Sequence, residues 1–95
     1  MDKMIDKILA ELELLFSDIS FGGIRNLQPV TLQKLEVIKA KMNELSMAEG
    51  VALIDDFIDT FNDWRENKKP VNEVIDRLCV IEFYHKTISE NISLN

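Results

Sequence analysis

Val71-Asn-Glu-Val-Ile-Asp-Arg-Leu-Cys-Val-Ile-Glu-Phe-Tyr-His-Lys-Thr-Ile88 is the stretch around which the rest of the chain must be arranged. At about 100° per residue, Val71, Val74, Ile75, Leu78, Cys79 and Ile81 form one broad apolar stripe, as a helix packing on a core requires. From Val80 onward the apolar surface turns. Val80, Tyr84 and Ile88 fall to one side of that stripe and Phe83 to the other, so the helix is apolar nearly all round between Leu78 and Tyr84. Such a helix is either the centre of its domain or buries a second face against another chain. We expect the second, with Val80, Phe83, Tyr84 and Ile88 in the contact.

Working backward, Pro70 suits the first position of this helix, and Glu66-Asn-Lys-Lys69 is a polar connection before it. Met47, Val51, Ile54, Ile58 and Phe61 keep a 4, 3, 4, 3 spacing, widened by Phe57 and Trp64, and predict a third helix. Ser46-Met-Ala-Glu49 has the form of a capping box at its start. A second helix ends just before that box, with Leu32, Leu35, Ile38, Met42 and Leu45 as a narrow seam and Thr31 as the expected N-cap. The first helix carries Ile5, Ile8, Leu9, Leu12, Leu15 and Phe16 on one face and Leu14 opposite it. Between these two, residues 17–30 lack a sustained period and contain Gly22, Gly23 and Pro29, which marks a loop. The expected role of this loop is a lid pinned over the end of the bundle; the alternative is a partner-binding loop, with Phe21 and Ile24 at its tip as further candidates for partner contact.

These signals predict helices at about 2–17, 31–45, 47–66 and 70–90. The expected fold is all-α, a compact four-helix bundle-like single domain with a long first loop. With 46% hydrophobic and 29% charged residues the chain is globular rather than disordered. No apolar run reaches the roughly 18 residues of a membrane span, and acidic residues interrupt the start as they would not in a signal peptide. The lone Cys79 lies on the apolar stripe and reads as a small core residue in a reducing compartment. Together these features suggest a cytoplasmic protein.

A net charge of −6 disfavours direct binding to nucleic acid or to an anionic membrane, both of which attract basic surfaces. Asp55, Asp56, Asp59 and Asp63 recur at helical spacing on the third helix. One reading of that stripe is a solvated face. The other is an imitation of nucleic-acid phosphates, by which a small acidic inhibitor would occupy a basic groove on another protein.

Catalytic and metal chemistry find little support. Cys79 and His85 are on one helix and point about 120° apart, so they cannot form a nucleophile–base pair within one chain. Glu82 and His85 have the spacing used in di-iron bundles, but such a centre needs a second Glu-x-x-His, and His85 is the only histidine. A satisfied polar pair, joined by Lys86, is the simpler expectation. We therefore expect no enzyme, no cofactor and no metal. The expected function is that of a non-catalytic protein-protein interaction module, a small subunit or adaptor. It would use the surplus apolar faces of the last and first helices, Leu14 included, against a second copy or a larger subunit.

Overall fold

The computed structural model describes the backbone of residues 3–94, and the side chains of these except Phe21 and 92–94. Among the described residues there are four α-helices and no strand: α1 (Lys3–Gly22), α2 (Pro29–Glu44), α3 (Ala48–Arg65) and α4 (Val71–Leu94). Each helix follows one apolar line. Ile8, Leu12 and Leu15 meet Leu35, Ile38 and Met42, and these meet Ile54, Phe57 and Phe61, with Val74 and Ile81 closing the core. The helices pack in a ring in chain order, with α1 against α2, α2 against α3, α3 against α4 and α4 back on α1.

Ion pairs between neighbours fix the directions. Lys41 reaches Glu11 at 3.1 Å, Lys39 reaches Asp55 at 2.6 Å and Arg77 reaches Asp56 at 2.8 Å. Each joins a residue before a connection to one at a comparable distance after it, as antiparallel neighbours do. The result is the up-down-up-down bundle that short connections favour.

The first connection is shorter than its glycines suggested. Ile19 lies four residues after Leu15 on the same face and is buried, so burial carries α1 through Ser17 and on to Gly22. The chain then breaks at Gly23, whose φ of 80° and ψ of 158° belong to a region open essentially to glycine. A single 3₁₀ turn, Ile24–Asn26, follows, and the Asn26 side-chain amide donates to the Gly22 carbonyl at 2.8 Å. Phe21, expected at the tip of that loop, belongs to α1, and its side chain lies outside those described.

Two helix starts also differ from expectation. Helix α2 begins at Pro29, with Gln28 before it as the extended N-cap residue, because proline's fixed φ suits a first turn that needs no amide donor. Thr31 is thereby inside the helix and buried. At α3 the capping box does not form. Met47 is the N-cap residue, without a side-chain cap, and Ser46 has a left-handed φ of 60°.

Ser46 instead ends α2. Its amide donates to the Asn43 carbonyl at 3.1 Å, and the Met47 amide donates to Met42 at 2.9 Å. This is the paired closure of a Schellman motif, which satisfies the last carbonyls of the helix. The end of α3 repeats it: Asn67, at φ 62°, donates to Trp64 at 2.9 Å and Lys68 to Asp63 at 2.8 Å.

Gly50, in the first turn of α3, is buried where three helices converge. A Cβ there would lie 2.7 Å from the Met42 sulfur and 3.1 Å from the Tyr84 oxygen. The missing side chain is what lets α2 and α4 close on the same turn.

Candidate functional site

The face of α4 that looks away from the ring carries Ile75, Cys79, Val80 and Phe83. Phe83 is 71% exposed, Val80 45% and Ile75 42%. Ile75, Cys79 and Phe83 recur every four residues, so they run along the helix as one stripe, with Val80 beside it. Cys79 is exposed on that stripe and not in the core. The expected inward line through Ile75 and Cys79 fails because the buried face is centred on Val74 and Ile81, and both residues sit beyond its edge.

The other expected contact residues of α4 turn inward. Tyr84 and Ile88 are half-buried, and Tyr84 packs against the core over Gly50. Burial raises the pKa of the Tyr84 hydroxyl, and the nearby Glu49 carboxylate raises it further. The Gly50 backbone amide, hydrogen-bonded to the tyrosine oxygen, works in the opposite direction.

His85 has a structural partner as well. Its Nε2 lies 2.8 Å from the Leu9 carbonyl oxygen, which can only accept, so Nε2 carries the proton and donates. The Phe16 ring meets the imidazole edge-on at a centroid distance of 5.5 Å. The pairing with Glu82 and Lys86 is replaced by this bridge, because His85 faces α1 rather than solvent. Among the described residues no group of three His, Cys, Asp or Glu side chains could hold a metal ion.

The four aspartates of α3 do not form one bare anionic face. Asp55 pairs with Lys39, Asp56 with Arg77, and Asp63 with Lys69 at 3.2 Å. Hydrogen bonds from Lys39 to Asp55 and then to Glu36 hold its ammonium pKa above the ordinary lysine value. Bases from α2, from α4 and from the connection between α3 and α4 thus pair with three of the four aspartates, which stay partly exposed to solvent. Asp59 alone of the four has no ion-pair partner among the described residues.

A second apolar surface lies between α1 and α2. Leu14 is 68% exposed on α1 and Val37 54% exposed on α2, with Val30 a further exposed residue at the start of α2. They border a groove of about 490 Å³ floored by Leu15 and Ile38. Glu11 and Asp18 line it from α1, and Lys34 and Lys41 from α2. Ile24 packs instead on the core, partly buried. No described helix is long and apolar enough to cross a membrane.

Compared with known proteins, the chain matches no family model, no curated protein and no solved structure.

Proposed function

We propose that this chain is a non-catalytic protein-protein interaction module, a small subunit or adaptor, that docks through the outward face of α4. The observation that carries this reading is Phe83, a phenylalanine 71% exposed on the same face as Val80 and Ile75. Covering such a ring is worth roughly 1.5–3 kcal/mol, and aromatic anchors of this kind commonly dominate interfaces. The core does not need these residues, since Val74 and Ile81 already fill the inner face of the helix. A cytoplasmic setting suits the exposed Cys79, whose thiol stays reduced there.

The test is affinity capture with the native chain and with a Val80→Glu, Phe83→Glu double variant, in low and in high salt. The variant should keep its helicity by circular dichroism, because both side chains point into solvent, and should lose a protein that the native chain retains. Retention should survive high salt, since apolar burial is not screened as surface charge is. If the folded variant holds the same protein as tightly as the native chain, this face is not the docking surface.

A further inference from the structure

We propose that the α1–α2 face takes a second copy of this chain, related by a twofold axis parallel to the helices, so that α1 of each copy lies over α2 of the other. This surface is distinct from the α4 face, and the proposal does not depend on that reading.

The argument begins with how charge is sorted across the groove. The Glu11–Lys41 ion pair, at 3.1 Å, sets the level at which α1 and α2 meet. With antiparallel helices of equal rise, Leu14 then lies beside Val37, and Asp18 beside Lys34. The face is therefore built in layers: the Glu11–Lys41 ion pair, an apolar layer over the floor of Leu15 and Ile38, and a level at which Asp18 and Lys34 lie on opposite sides of the groove without an ion pair between them. In both charged layers the acid belongs to α1 and the base to α2.

That sorting makes the face complementary to itself in one orientation. A twofold axis along the helices keeps each layer at its own level and exchanges left for right. Glu11 of one copy then meets Lys41 of the other, Asp18 meets Lys34, and Leu14 meets Val37. Every charged layer becomes a square of alternating sign. The twofold axis across the helices fails this test, because it lays α1 on α1 and sets Glu11 against Asp18, and Lys34 against Lys41. Like charges so placed are costly, which leaves the first arrangement.

Size sets the expected strength. A face two helices wide, about 20 Å, and one α2 long, about 24 Å, offers roughly 480 Å² per copy in projection. Set against the ~800 Å² of accessible surface per partner in a standard interface, this is a small contact, so a weak dimer is expected and the concentration series must reach about 1 mM.

Sedimentation equilibrium of the full chain from about 10 μM to about 1 mM tests this, with Asp18→Lys and Lys34→Glu as single variants. Neither Asp18 nor Lys34 forms an intrachain ion pair among the described residues and both are exposed, so neither variant breaks an ion pair of the fold, and circular dichroism of each checks that it stays helical. The native chain should approach twice its monomer mass at the high end. Each variant alone places two like-charged contacts in the interface and should dissociate about tenfold more readily. An equimolar mixture should recover, because a copy with lysine at 18 and 34 complements one with aspartate at 18 and glutamate at 34. A native chain that stays monomeric at about 1 mM overturns the proposal and leaves the groove to a different protein or to solvent. A dimer that neither variant weakens overturns it too, placing the contact elsewhere, as does a mixture that fails to recover.

Discussion

Thr60 is fully buried in the middle of α3, and its hydroxyl has no hydrogen-bond partner. A hydroxyl removed from water without compensation costs about 1–3 kcal/mol. Thr60→Val keeps the branched shape and removes the polar atom, so it should raise unfolding stability by about 1 kcal/mol, read as a higher urea midpoint at unchanged slope. A lower midpoint would mean that the hydroxyl is satisfied in solution. The same residue shows what hydropathy alone conceals. Gly50 and Thr60 share the most buried line of α3 with Ile54, Phe57 and Phe61, yet neither carries an apolar signal, so the seam read through Val51 and Ile58 is rotated from the true one. On α4 the error ran the other way. Ile75 and Cys79 count as apolar on a wheel, and only the packing of α3 and α1 decides that they fall outside the buried arc.

At the scale of the helix, the four periodic segments were legible and their ends less so. Apolar spacing is set by the shape of the helix, whereas an end is a competition among several local closures. Ser46 illustrates the competition, since Ser-x-x-Glu suits a helix start and residue 46 also follows the end of α2. The Schellman closure wins because it satisfies the last backbone carbonyls of α2. Serine pays a steric penalty for the left-handed φ of 60° that glycine does not. Ser46→Gly should therefore stabilise the protein by about 1 kcal/mol in chemical unfolding. Were Ser46 acting as an N-cap, the same change would cost a few tenths of a kcal/mol, so the sign of the shift separates the two roles. Asn67, at the equivalent place after α3, is already a residue that tolerates this conformation.

For the whole molecule, the ring order determines how the two exposed surfaces relate. Helices α1 and α2 form one side of the ring and α3 and α4 the opposite side. Sequence alone located surplus apolar residues at Leu14, Val80 and Phe83, because all three depart from the face of their own helix. It could not show that Leu14 shares a surface with Val30 and Val37, since that depends on how α1 and α2 meet, nor that Tyr84 and Ile88 turn inward. A dimer across the α1–α2 side would carry its two α4 faces away from the contact, so the surfaces should act independently. Val80→Glu with Phe83→Glu should leave the self-association constant within about a factor of two, and Asp18→Lys should leave capture through α4 unchanged, as for separated sites without shared partners. Both can be read from the sedimentation and capture measurements already described, by exchanging the variants between them. Loss of self-association in the α4 variant would show that one surface serves both contacts, and the bundle would then present a single face rather than two.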